Sequence, residues 1–450
     1  MTLPPKPESR PAKVSLWRYA RLFRQDILSA QPARLYRAWM AEFKTPFFRS
    51  YLINQPDLIQ TVLKTRPDDY PKSDRIGEGL RPLLGNSVFL TNGAIWKRQR
   101  RIIDPAFEGG RLRETFPAIW DAAEAAAARL APHDGAPLEV EAQTSHAAAD
   151  VIFRTLFSIP IEHHMAREVF DEFKTYQRSQ PILNIAAFVP LPRWLPRLFR
   201  RDTKRSAAKI RRLITALTAE RMEAIKAGTA PDDLATKIMT TPDPEDGSTF
   251  TTDEMVDQVA IFFLAGHETS ASALAWAMYL VATHPDWQDR LAEEAQAIDQ
   301  CDFAVMGKLR QSRDVFREAL RLYPPVPMMV REASCPATFR DRTVARGAQV
   351  VISPWHLHRH ERLWDTPDGF DPARWHSENG KKCQREAYLP FSAGARVCPG
   401  AGFAMVEGPL ILSRILRDYR IEVVGEKPPV PVAHLTVRSK DGILLRFVRR

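Results

Sequence analysis

The chain has 450 residues, room for about three domains at roughly 150 residues each, yet its composition offers no place to divide it. Hydrophobic residues make up 44% and charged residues 26%, a balance that suits a packed globular protein and excludes disorder, collagen and coiled coil. The net charge of +10 calls for an acidic partner or surface. Cys301, Cys335, Cys383 and Cys398 form no CxxC pair, which argues against a disulfide framework or zinc ribbon and fits a reducing compartment.

The first thirty residues are broken by proline and polar side chains, with no apolar core ahead of a small-residue cleavage site, so they read as neither an export signal nor a span. Residues 14–28 are mildly amphipathic and read as a surface helix, weak peripheral contact with a membrane being the alternative. A strand is predicted over 49–54. Helices are predicted over 119–130, 204–227, 254–282 and 286–297, all rich in alanine, leucine and arginine. The stretch 256–283 is the most membrane-like, but His267 and Glu268 stand at its middle, and a charge there costs ~3 kcal/mol in a bilayer. It reads as a buried helix. Strand alternation returns over 337–352 with a turn at Asp341, and a last pair is predicted over 420–424 and 442–448. Residues 181–201 carry four prolines in an apolar stretch that ends in a basic cluster, which reads as a lid or a loop packed on the core. No repeat or low-complexity tract intervenes, so the expectation is one mainly helical domain over 1–450 with small β-sheets, residues 1–44 forming an N-terminal extension.

Cys398 stands apart from the other cysteines. It lies in Phe391-Ser-Ala-Gly394-Ala-Arg396-Val-Cys398-Pro-Gly400, just before a helix-like run over 401–419. A sulfur at a helix start meets the positive end of the dipole and unpaired amides, which favour the thiolate. Gly394 and Gly400 permit a tight turn and close approach of a flat ligand, and Arg396 offers a cation to a carboxylate.

The pattern FxxGxRxCxG resembles the haem-binding loop of the cytochrome P450 family. The resemblance implies haem b, with Cys398 as axial thiolate and sole protein ligand to the iron, Phe391 and Gly400 beside it, and Arg396 on a propionate. A thiolate pushes electron density onto the iron and favours O–O cleavage. Pro399 has no N–H to offer the sulfur, so the thiolate is expected to be more electron-rich than with an amide there. Three further motifs follow in the family's order. Glu318 and Arg321 share a helix face, and Arg374 in Phe370-Asp-Pro-Ala-Arg-Trp375 resembles the family's meander arginine; the three are expected to form a buried structural network. Ala265-Gly266-His267-Glu268-Thr269 resembles the central-helix signature. There Ala265 and Gly266 lie along the haem, and Glu268 and Thr269 form an acid–alcohol pair delivering protons for dioxygen activation. Trp96 and Arg100, four residues apart, resemble the propionate-binding pair, with Arg331 a third cation.

The HExxH reading of His267-Glu268 fails because position 271 is alanine. His356, His358 and His360 alternate as on a strand but are read as structural. The resemblance covers residues 45–450 and implies a soluble, bacterial-type haem-thiolate monooxygenase, a cytoplasmic monomer with no integral membrane segment and no fused redox domain. Electrons would come from an acidic ferredoxin or flavodoxin with its NAD(P)H reductase, docking near Lys97, Arg98, Arg101, Lys381, Lys382 and Arg385. Nucleic acid is a poorer explanation of the charge, since no basic-aromatic array accompanies it. Candidate pocket segments over 75–88, 181–199, 261–269, 326–330 and 433–437 are apolar and suit a medium-to-large lipophile, with Arg75 or Arg81 available to a carboxylate. The rival readings are a peroxide-dependent haem peroxygenase and a non-catalytic haem sensor.

Overall fold

The strand predicted over 49–54 forms as Arg49–Ile53, and its partners come from far along the chain. It runs antiparallel to Met40–Lys44 and parallel to Gln349–Ile352, which pairs antiparallel with Met329–Glu332. Tyr51, Ile53, Val350 and Ile352 are buried with Ile59, Val62, Trp364 and Trp375, so period-2 burial fixes the register. The computed structural model describes residues 3–44, 49–179, 201–433 and 435–450. The proline-rich stretch over 181–201 falls, but for its last residue, outside them.

By internal packing the chain divides into two units, Met1–Tyr70 with Ala123–Ala147 and Glu268–Arg450, and Pro71–Ala122 with Ala148–His267. Every strand among the described residues belongs to the first. The predicted stretch over 337–352 splits between two sheets: Ala337–Phe339 and Arg342–Val344 form a hairpin, while Gln349–Ile352 joins the four-stranded sheet. Tyr419–Val423 pairs with Leu444–Arg449 as predicted, and Pro137–Glu139 adds an unforeseen third strand.

The predicted helices form as Phe116–Ala128, Arg201–Lys226, Thr252–Ala282 and Pro285–Gln296. The longest, the central helix Thr252–Ala282, opens with Asp253 and Glu254 against the dipole and is buried along residues 270–281. No helix among the described residues is long and apolar enough to cross a membrane. In the second unit, Asp257 of this helix accepts from Asn86 N and Arg211 Nη1, each at 2.7 Å. A Cβ on Gly85, whose φ is +50°, would stand 2.1 Å from that carboxylate. The pocket segment over 75–88 is thereby pinned to the central helix. The His356 to His360 stretch departs from its strand-like spacing: it forms the short helix Pro354–Leu357 and the turn after it.

In the first unit, helix Arg310–Leu322 packs on helix Ala401–Asp418 where Gly408 admits the Phe316 ring; a Cβ there would lie 2.2 Å from it. This contact sets the predicted network beside the cysteine segment. Arg321 clamps Glu318 with two bonds of 2.9 and 2.7 Å, and Arg374 Nε donates to Glu318 Oε1 at 2.9 Å. The remaining guanidinium hydrogens go to the carbonyls of His358, Asp365, Pro367 and Gly369. Burial pushes the Glu318 carboxyl up, but Arg321, Arg374 and their hydrogen bonds outweigh it and hold it below its ordinary value.

Replacing Glu318 with alanine would leave two buried guanidinium groups uncompensated. The expected outcome is a loss of about 3–5 kcal/mol, read in urea denaturation as a lower midpoint with unchanged slope.

Candidate active site

The cysteine loop is held by its own backbone. Cys398 N donates to Phe391 O at 2.9 Å and Val397 N to Gly394 O at 3.0 Å, closing the turn Gly394–Arg396. Gly400 then caps helix Ala401–Asp418. Gly394 has φ +69°, and a Cβ on it would fall 1.9 Å from Leu63 O. The expected tight turn is present, and the missing side chain also lets the loop press on residues 63 and 64. Gly400 faces the sulfur, where a Cβ would stand 3.9 Å from Cys398 Sγ. Behind the loop, Leu389 N donates to His358 Nε2 at 2.8 Å.

Cys398 is exposed, beside exposed Val397 and half-buried Phe391 and Arg396. Cys383 shows the contrast: it is buried, and burial pushes its thiol up to about 11, the state of an inert structural cysteine. Also in the first unit, Arg331 on strand Met329–Glu332 is 4% exposed. Its side chain has no hydrogen bond or ion pair among the described residues, and burial alone draws the guanidinium down to about 10. A cation so placed lacks a counter-charge.

On the central helix, Ala265 is exposed amid buried neighbours and Thr269 is half-buried. Gly266 packs closely against a neighbouring helix. A Cβ there would meet Ile152 Cδ1 at 2.3 Å, so its missing side chain serves packing between helices. His267 is buried with the Phe170 ring edge-on at 5.4 Å. Glu268 is buried and its Oε1 accepts from Thr436 Oγ1 at 2.7 Å. In the second unit Trp96 is buried on helix Gly93–Ile103, and Arg100 Nε lies 2.7 Å from Asp104 Oδ1, a carboxylate the motif does not mention.

The basic cluster is thinner than its sequence. Arg98 is held by Glu254 at 2.8 Å, Arg101 by Asp243 at 2.6 Å and Glu245 at 2.9 Å, and Lys381 by Glu378 at 3.0 Å. Arg98 and Arg101 are therefore corrected from docking cations to internal ion pairs. Lys382 and Arg385 line a cleft with Lys64, Leu389 and Ala393, next to the cysteine loop in sequence. The three histidines are each occupied by protein: His356 bonds Ser353 Oγ at 2.8 Å, His358 bonds Leu389 N, and His360 stacks on Trp39 at 4.5 Å.

The sequence reading missed Glu407. It is fully buried on the cysteine-bearing helix and accepts a short hydrogen bond from Ser270 Oγ, one residue past Thr269. Burial raises its carboxyl to about 7, against the pull of that hydroxyl. A lone glutamate inside the apolar run over 403–412 was the available signal.

The family model for cytochrome P450 matches residues 36–446. The chain is 32% identical over 387 residues to a cyclooctat-9-en-7-ol 5-monooxygenase of Streptomyces melanosporofaciens, covering 84% of this chain and 81% of that one. It is 31% identical to cyclooctatin synthase of the same organism, covering 87% and 84%. Cytochrome P450 4A14 of Rattus norvegicus is 29% identical, covering 91% and 82%. The fold matches the crystal structure of the cytochrome P450DA heme domain with a TM-score of 0.80 over 100% of this chain and 98% of that one, at 22% identity. The chain belongs to the cytochrome P450 family. It is a haem-binding monooxygenase, an oxidoreductase with the family's helical fold and small sheets.

Glu407 makes stability depend on pH. Its folded value, about 7, lies above the ordinary 4.5, so the folded chain holds the extra proton across that window. Stability is full below the lower value and falls as pH rises through the upper one. The expected loss between pH 5 and 8 is on the order of 3 kcal/mol. Glu407→Gln should flatten it, as read by urea midpoints at each pH.

Proposed function

We propose that the chain holds haem b through Cys398 and inserts one oxygen atom from dioxygen into a medium-to-large lipophilic substrate, by hydroxylation or epoxidation, with electrons from separate proteins. The observation that carries this reading is the exposed Cys398 sulfur at a helix start in the same unit as a buried, uncompensated Arg331. A flat apolar group with carboxylate arms answers both needs. Cys398 would ligate the iron, and Arg331, Arg396, Trp96 and Arg100 would hold the propionates. Phe391, Gly400 and Ala265 would lie against the macrocycle. Bound haem with a thiolate ligand supplies dioxygen activation by donating electron density from the sulfur.

The rest is the work of the protein. Thr269, half-buried on the central helix, presents a hydroxyl that can pass a proton, and Glu268 beside it is the acid that replenishes it. Glu318, Arg321 and Arg374 keep the cysteine segment in place through their carbonyl contacts. The acid–alcohol pair favours oxygen activation over a peroxide-driven reaction or sensing. For the substrate, Val326 and Leu435 are apolar side chains exposed at 40% and 43%, which supports a lipophile in the segments over 326–330 and 433–437. Two relatives are named cyclooctat-9-en-7-ol 5-monooxygenase and cyclooctatin synthase, and a terpenoid, steroid, carotenoid or fatty acid fits this lining. Lys382, Arg385 and Lys64 would meet an acidic ferredoxin or flavodoxin, with the chain acting as a monomer in the cytoplasm.

Optical spectra test the reading. The reduced protein under carbon monoxide should show the red-shifted band of thiolate-ligated haem, and Cys398→Ser should lose that band and oxygenating turnover. Haem incorporation and turnover surviving intact in Cys398→Ser would overturn the assignment. Lipophiles that bind should shift the spin state of the wild-type haem. Electron transfer from an acidic ferredoxin should weaken steeply with salt, and salt-insensitive transfer would remove the docking part.

A further inference from the structure

Glu268 does not stand alone behind Thr269. Thr436 Oγ1 donates to Glu268 Oε1 at 2.7 Å, and Arg438 Nη2 lies 3.3 Å from the same oxygen. The carboxylate side chain is 7% exposed and the arginine 39%, so the pair joins a buried acid to a solvent-facing cation. The segment that brings it there is anchored independently. Val437 O accepts from Ser272 Oγ at 2.5 Å and Trp276 Nε1 at 3.2 Å, both on the central helix, and Val437 N donates to Pro325 O at 3.0 Å. The backbone at 438 is thus fixed by its neighbours, independently of the ion pair its side chain makes with Glu268.

The charged groups around the pair come from several elements. Glu141, on helix Val140–Phe157, accepts from Ser439 N at 2.8 Å; burial raises its carboxyl, and Arg438 pulls against that rise. Arg438 therefore pairs with Glu268 and exerts a longer-range pull on a carboxylate of a second helix. Glu407 lies across the central helix at Ser270, and His267 is turned into packing against Phe170.

We propose that Arg438, with Thr436, is a positioning residue for proton delivery: it holds Glu268 Oε1 at the solvent end of the relay, so that protons enter from the surface at this carboxylate. The inference rests on Glu268 being the relay acid. One cycle balances as follows. A proton from solvent adds to the Glu268 carboxylate, and the neutral acid loosens its hold on Arg438. The acid then gives its proton to the Thr269 hydroxyl as that hydroxyl releases its own inward, and the restored carboxylate pairs again with Arg438. One proton moves inward and no electron is transferred.

The test uses the haem-loaded enzyme with an acidic ferredoxin, its reductase and a substrate chosen by its spin-state shift. Arg438→Met keeps the apolar stem and removes the charge; Arg438→Lys keeps the charge. Expected for the methionine variant is a drop of about fivefold in product formed per NAD(P)H consumed, the size of a partly exposed ion pair. The solvent deuterium isotope effect should grow and the pH profile of product yield should change. The lysine variant should restore most of each, and the carbon monoxide band should be unchanged in both. If Glu268→Gln loses product yield while Arg438→Met keeps wild-type yield, pH profile and isotope effect, protons enter elsewhere and this inference is overturned, with the acid's role intact. If Glu268→Gln itself leaves yield and isotope effect unchanged, the relay reading fails and the inference falls with it.

Discussion

A carboxylate removed from water must be surrounded by donors or lose its charge, and Glu318 meets that demand completely. Two guanidinium groups and the Asp371 amide converge on it. The arginines it neutralises spend their other hydrogens on carbonyls from 358 to 369 that no sheet or helix would satisfy. The network does not add attraction so much as forbid alternatives, since moving any one strand of chain strands a buried charge. Helix Arg310–Leu322 carries this constraint to the cysteine-bearing helix through Phe316 and Gly408, and the thiol loop is seated against Leu63 through Gly394. The sulfur at its tip is therefore exposed on a rigid support.

Charge is distributed around that support with clear differences in cost. Arg331 is buried with nothing to balance it among the described residues, and desolvation alone draws its guanidinium down. Glu407 is buried with one hydroxyl and keeps its proton to about pH 7 instead of finding a cation. Glu268 sits between these extremes, buried yet tied to a cation that reaches water. Three ionisable side chains thus meet desolvation differently: one bears its cost, one keeps a proton and one pairs.

The parts of the molecule legible in the sequence were those governed by local period. An i,i+3 pair must share a helix face, and the longest helices announced themselves by composition and were placed within a few residues of their observed ends. The cysteine loop was legible because its glycines, arginine and cysteine are close neighbours in the chain. Pro137–Glu139, Pro431–Ala433 and Val437–Ser439 were not, because three-residue strands carry too little alternation to register and form only when a distant partner arrives. At Gly266 and Gly394 the sequence marked both positions as small, but only the tertiary neighbours Ile152 and Leu63 reveal the packing that a Cβ there would break.

By itself the sequence located the loop around Cys398, the Glu268–Thr269 dipeptide and the Glu318–Arg321 pair on one helix face, because each is written within a few turns of chain. Tertiary structure alone decided the partners of charges: which arginines are neutralised within the protein, that Arg331 has no counter-ion among the described residues, and that Thr436 and Arg438 close on Glu268 from about 170 residues away. The physical reason is that spacing along a helix follows from covalent geometry, whereas an ion pair across such a span exists only after the packed core has fixed both ends in place.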